Sequence, residues 1–133
     1  MIFLIDFDDT ICNTKYVDHG RRMGPPNMGA VDSVRRLHRE HTVIIFTGRQ
    51  VNKPAVYKAV ADWMHFFQIP YDQITNIKPF EYDVIIDNRA MHFDGWPKVM
   101  ARLNNLDIET WAYEGDNLSQ QNGNEQVLTD YPQ

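Results

Sequence analysis

Five residues of this chain are of types that, brought together, can handle a phosphoryl group and a hard cation. Asp6 and Asp8 stand two apart in Asp6-Phe7-Asp8-Asp9-Thr10, Thr47 ends an apolar run, Lys78 lies in a later loop, and Asp87 ends a second apolar run. A carboxylate can act as a nucleophile and form an acyl phosphate. Mg²⁺ prefers hard oxygen ligands and keeps several waters. A lysine is a compact point charge for phosphate oxygens. Two or three carboxylates beside one ammonium and one hydroxyl therefore make a site for Mg²⁺ and a phosphoryl group. Asp6 and Asp8 alone would more simply cap a turn after a strand; Thr47, Lys78 and Asp87 weigh against that bland reading.

The elements that must position these residues are legible as alternating runs. Ile2 to Asp6, Thr42 to Thr47 and Tyr82 to Asp87 are apolar and mostly β-branched, each ending at a polar residue. Such runs read as strands buried on both faces, the habit of parallel sheets. Between the first two, Ala30 to Glu40 reads as a helix with Val31, Val34, Leu37 and His38 on one face. Between the second and third, Val56, Val60, Trp63 and Phe67 recur at helical spacing, with Pro54 near the start, where its missing N–H costs little. A third helix is expected over Pro97 to Asn105, and a weaker edge strand over Ile108 to Tyr113. The alternation predicts an α/β fold with a mainly parallel, Rossmann-like sheet and right-handed crossovers. In such sheets ligands bind at the carboxyl ends of strands. Asp6, Asp8, Thr47 and Asp87 all fall at those ends. Asp83 begins its strand, lies at the wrong end, and reads as structural.

Composition bounds the rest. With 133 residues, 43% apolar and 23% charged, the chain suits one globular domain. The expected division is a catalytic domain over 1–115 and a polar tail over 116–133. Thr14 to Gly29, rich in Gly and Pro, reads as a loop or flap. A formal charge of −5 argues against indiscriminate attraction to nucleic-acid backbones. The single cysteine, Cys12, permits no intrachain disulfide and reads as a small buried filler. No run is long enough for a membrane span or shaped like a leader, so a cytoplasmic protein with no membrane partner is expected.

At this point a family is recognisable. Asp6-Phe7-Asp8-Asp9-Thr10 resembles the first motif of the haloacid dehalogenase (HAD) superfamily, D-x-D-x-T. Ile44-Ile45-Phe46-Thr47-Gly48-Arg49 resembles its second, Lys78 its third, and Val84-Ile85-Ile86-Asp87-Asn88 its fourth. Narrower likenesses around Gly24-Pro25-Pro26, Thr47-Gly48-Arg49 and Gly95-Trp96 point to small capsule-biosynthesis-phosphatase-like and bacteriophage members.

The resemblance implies a magnesium-dependent phosphomonoester hydrolase with a three-layer sandwich fold. It makes Asp6 the nucleophile and Asp8 the acid and base. Mg²⁺ would be held by Asp6, Asp8 through its carbonyl, and Asp87. Thr47 and Gly48 would meet the phosphoryl oxygens, and Lys78 would screen the charge of Asp6 and the substrate. Arg49, adjoining that turn, reads either as a substrate contact or as a surface salt bridge. A second acid after the nucleophile speaks for a phosphatase, since members that accumulate the phosphoenzyme carry Thr there. Two residues depart from the pattern: Asp9 stands where Gly is common, adding charge, and Asn88 stands where a second acid is common. Only 36 residues separate Thr10 from Thr47 and 30 separate Thr47 from Lys78, which leaves no room for a cap domain. Capless members take large substrates or close their sites by oligomerising, so a homo-oligomer is left open. With no cap, Arg21 and Arg22 of the flap are candidates for substrate discrimination.

The expected substrate is a small phosphate ester, with nucleotides or nucleic-acid ends as the alternative and a non-catalytic binding module as the alternative of another class. A receiver domain is excluded by order: no strand-end Asp lies between Asp9 and Thr47, and here an acid follows the lysine.

Overall fold

The computed structural model describes residues 1–15 and 22–106. Two compact units are distinguished, Met1–Ala90 and Met91–Gln133.

The first unit is an α/β structure. In chain order it contains β1 (Ile2–Asp6), α1 (Ala30–His38), β2 (Thr42–Phe46), α2 (Pro54–Phe66), β3 (Gln73–Thr75) and β4 (Val84–Ile86). All four strands are parallel, in the order β3-β2-β1-β4. Register follows the apolar runs: Ile2 to Asp6 pair with Thr42 to Phe46, and Phe3 to Ile5 with Val84 to Ile86. Successive strands thus step outward from β1 through β2 to β3, and the chain then returns to the other side of β1. The strand order reverses at β1, and a crevice at the strand ends is expected there.

The pleat divides the sheet residues between two faces. Phe3 and Ile5 of β1 and Val43 and Ile45 of β2 join one buried cluster with Val34 of α1 and Val60, Trp63 and Met64 of α2. Both helices therefore contribute to the same face. Leu4 and Ile44, on the opposite pleat, are buried as well. The expectation of burial on both faces fails for β4, whose Val84, Ile85 and Ile86 are 36–38% exposed. Among the described strands β4 pairs only with β1, so it is an edge.

β3 has no counterpart among the expected strands. Its three residues, Gln-Ile-Thr, contain one apolar side chain and no run to detect. Asp83 is structural, as expected. Its Oδ2 accepts the Ile2 N–H at 2.7 Å and its own N–H donates to the Ile2 carbonyl at 2.8 Å, which ties the entry of β4 to β1.

The second unit contributes α3 (Trp96–Asn105), close to the span expected from sequence. Within it Arg102 donates to the His92 carbonyl at 2.8 Å and to Asp94 Oδ2 at 2.6 Å. The expected strand over Ile108 to Tyr113, the domain boundary at 115 and the polar tail lie outside the described residues. Among the described residues no helix is long and apolar enough to cross a membrane.

Candidate active site

The carboxyl ends of β1, β2 and β4 bring the candidate residues to one edge of the sheet. Asp6 is the last residue of β1, Thr47 follows β2, and Asp87 follows β4. Because Ile5 pairs with Ile86 in register, Asp6 and Asp87 are the next residues along two adjacent strands.

After Asp6 the chain turns sharply. Ile11 and Cys12 both donate backbone N–H groups to the Phe7 carbonyl, and Asp9 donates to the Cys12 carbonyl at 2.7 Å. The turn requires φ of +62° at Asp9, in the left-handed region that glycine enters without strain. Asp is one of the few other residues that tolerate it, and here its side chain is used. Asp9 Oδ1 accepts the Thr14 N–H at 2.9 Å and the Lys15 N–H at 2.6 Å. The extra charge expected to crowd the site is thus held by two backbone donors.

The flap is fastened at its base. Asn13 donates to the Pro25 carbonyl, Gly24 to the Asn13 carbonyl and Asn27 to the Ile11 carbonyl, each at 2.8 Å. The Trp63 indole N–H reaches the Gly24 carbonyl at 2.9 Å, so α2 anchors the flap as well. Cys12 is fully buried beneath it, and burial pushes its thiol pKa up, consistent with a filler. Arg21 lies outside the described residues.

Asp8 is the most heavily engaged carboxylate. Arg49 donates to Oδ1 from Nη2 at 2.7 Å and from Nε at 2.9 Å. The Thr14 hydroxyl donates to Oδ1 at 2.9 Å and the Thr47 hydroxyl to Oδ2 at 3.0 Å. Thr47, fully buried, also accepts the Arg49 N–H at 3.1 Å. The arrangement fixes Arg49 and Thr47 on Asp8. Lys78 is placed differently. It is exposed, its ammonium lies over the Tyr82 ring at 5.4 Å from the centroid, and among the described residues it makes no hydrogen bond or ion pair with Asp6.

Asp6 has a different environment. Burial first, then the Asp87 carboxylate, push its pKa up to about 6, with a smaller push from Asp8, while the Thr10 hydroxyl at 3.2 Å pulls it down. Thr10 also accepts the Asn88 N–H at 3.1 Å, which links the turn after β1 to the end of β4. The Asn88 side-chain oxygen faces the same hydroxyl at 3.4 Å.

Among the described residues no three His, Cys, Asp or Glu side chains converge as a metal cluster. The donor chemistry nonetheless fits Mg²⁺, which is bound through one or two carboxylates and keeps its waters. Asp6 and Asp87 are two hard oxygen donors on adjacent strand ends, and their mutual repulsion is relieved by a cation. The Asp8 carbonyl, whose carboxylate is engaged elsewhere, accepts no hydrogen bond among the described residues.

A cleft of about 390 Å³ opens beside Asp8, lined in part by Lys15, Gly48, Arg49 and Arg89. Sequence reasoning passed over Thr10, Thr14 and Lys15 as site residues. Thr10 carried a signal, as the Thr of D-x-D-x-T. Thr14 and Lys15 carried none, because only the left-handed turn at Asp9 brings them back to the site. Comparison with protein-family models, curated proteins and solved structures finds no match for this chain.

Proposed function

We propose that this chain is a capless, three-layer phosphatase of the HAD type, hydrolysing a small phosphate monoester through an aspartyl phosphate on Asp6. One observation carries the proposal: Asp6, Asp8, Thr47 and Asp87 share the carboxyl edge of a parallel sheet at the strand where its order reverses. The four motifs in sequence order support the same reading.

Asp6, ionised, attacks phosphorus with one carboxylate oxygen. The bond to the leaving oxygen breaks, and protonated Asp8 gives that oxygen its proton. Asp8 then takes a proton from water, the water oxygen bonds to phosphorus, and the bond to Asp6 breaks to release phosphate. Arg49 must leave Asp8 for this exchange. Incoming phosphoryl oxygens, a bidentate acceptor of the same sign, are suited to draw the guanidinium away. Thr47 follows, its hydroxyl passing from Asp8 to a phosphoryl oxygen. Asp6, the Asp8 carbonyl and Asp87 would hold Mg²⁺, which when bound neutralises charge on the phosphoryl group and aligns it. A cytoplasmic setting and a small phosphorylated partner complete the proposal.

The test is turnover of nitrophenyl phosphate. Activity with Mg²⁺, its loss on exhaustive chelation, and a raised Mg²⁺ requirement in Asp87→Ala are expected. Full activity in chelator would contradict the proposal. A second reading, a non-catalytic HAD-like binding module, draws on two observations: Asp8 is saturated with donors and Lys78 sits over Tyr82. Absence of turnover on any phosphate ester would favour it.

A further inference from the structure

Among the described residues the buried polar side chains are Thr14 and Thr47, and both direct their hydroxyl at Asp8. They divide its carboxylate between them. Thr14 donates to Oδ1 at 2.9 Å and Thr47 to Oδ2 at 3.0 Å. In the proposed reaction Thr47 is released to the phosphoryl group, whereas nothing in that reaction calls on Thr14.

A buried hydroxyl can be satisfied locally, and Thr14 has the means. The Cys12 carbonyl and Sγ lie 3.5 and 3.6 Å from its oxygen. A hydroxyl has one hydrogen to donate, and 3.5 Å is beyond the ordinary O–H···O range. The hydrogen therefore goes to Asp8, six residues back in the chain. The aim of Thr14 is itself fixed. Its N–H donates to Asp9 Oδ1 at 2.9 Å, and the backbone of Asn13 before it is bonded to Pro25 and Gly24 at the flap base, each at 2.8 Å. Arg49, the other partner of Asp8, treats a proton there differently. A guanidinium is always charged and only donates, so it favours the carboxylate anion. A hydroxyl carries no net charge and donates to an oxygen of a carboxylate or of a carboxylic acid alike.

We propose that Thr14 is the positioning residue of Asp8: it holds Oδ1 throughout the cycle, so that Oδ2, vacated by Thr47, is the oxygen that carries the proton. Oδ2 gives that proton to the leaving oxygen and regains one from the attacking water. The assignment rests on the phosphatase reading and deepens it by naming the oxygen that reacts.

The test is rapid mixing of the full chain with nitrophenyl phosphate and Mg²⁺, following the nitrophenolate burst and the steady rate together. Nitrophenolate departs without protonation, so loss of the Thr14 hydroxyl slows only the second half, where Oδ2 takes a proton from water. Thr14→Val keeps the buried shape and removes the hydroxyl. Its steady rate should fall about ten- to hundredfold, the worth of one hydrogen bond to a charged group, while the burst holds or rises. Thr14→Ser restores the hydroxyl and should return the rate to that of the parent. Thr14→Ala is the second variant should the valine protein fail to fold, with the same expectations. A merely structural loss shrinks burst and rate in step. That result, a parental rate in Thr14→Val, or a serine variant as slow as the valine one would overturn the assignment. If Asp8→Asn accumulates phosphoenzyme and Thr14→Val behaves like the parent, the phosphatase reading stands and the role of Thr14 falls. If the parent neither turns over nor becomes phosphorylated, both fall.

Discussion

Three neighbouring aspartates in this chain have three different jobs because each meets different donors. Asp8 is wrapped by Arg49, Thr14 and Thr47. Asp9 is turned onto two backbone N–H groups in a left-handed turn. Replacing Asp9 by Ala keeps the strained φ and removes both bonds, so a loss of about 2 kcal/mol is expected in urea denaturation. Asn at the same position should cost less than Ala, because its oxygen can still accept. Asp6 is crowded by like charge and burial, and its pKa of about 6 stands above the ordinary 3.8. Between those values the folded state keeps a proton that the unfolded state has lost, so stability falls as pH rises through the window. The penalty is fully present above the folded value and absent below the unfolded one. Allowing for partial exposure, it is on the order of 1 kcal/mol. In metal-free buffer Asp6→Asn should thus be more stable than the parent at neutral pH and lose that advantage as the pH drops below the unfolded value. Equal stability of the two proteins across the whole range would contradict this.

At the scale of elements, the positioning of the site depends on how the sheet and α2 hold the chain between Asp6 and Gly29. Trp63 stacks edge-on to Phe7 at 5.1 Å between ring centroids and also holds the Gly24 carbonyl, so one side chain links the turn after β1 to the flap base. Trp63→Phe retains most of the ring contact and loses the indole donor; about 1 kcal/mol of stability should be lost. Met64→Ala, deep in the same cluster, should cost about 2–5 kcal/mol, because the cavity cannot collapse between helix and sheet. Legibility in the sequence followed element type. β1 and β2 announced themselves as apolar runs, and α2 by helical spacing behind a proline. β3 was invisible, with one apolar residue in three, because an edge strand recruited by β2 needs backbone pairing more than a hydrophobic run. The exposure of β4 was also unreadable, since its residues look like those of a central strand and only pairing decides which strand is the edge.

For the whole molecule, strand-end acids could be located from sequence because the fold rule depends on order alone. Asp6, Thr47 and Asp87 needed nothing beyond three runs and their endings. Contacts that depend on side-chain reach were not legible in this way. The guanidinium of Arg49 spans 41 residues of sequence to Asp8, and Lys78 lies over Tyr82 instead of at Asp6. Neither follows from spacing. The net acidity of the chain likewise gave no hint of a cleft lined, among the described residues, by Lys15, Arg49 and Arg89.

The central claim is that Asp6 is a covalent nucleophile and Asp8 its acid and base. Mass spectrometry after mixing with Mg²⁺ and nitrophenyl phosphate tests it most directly, because nitrophenolate departs without protonation. Asp8→Asn keeps the nucleophile and loses water activation, so a phosphate-bearing protein should persist, with turnover reduced roughly hundred- to ten-thousand-fold. Asp6→Asn should carry no added phosphate and show no turnover, while remaining folded. Phosphate on the Asp6→Asn protein, or none on an Asp8→Asn protein that still releases nitrophenol, would contradict the account.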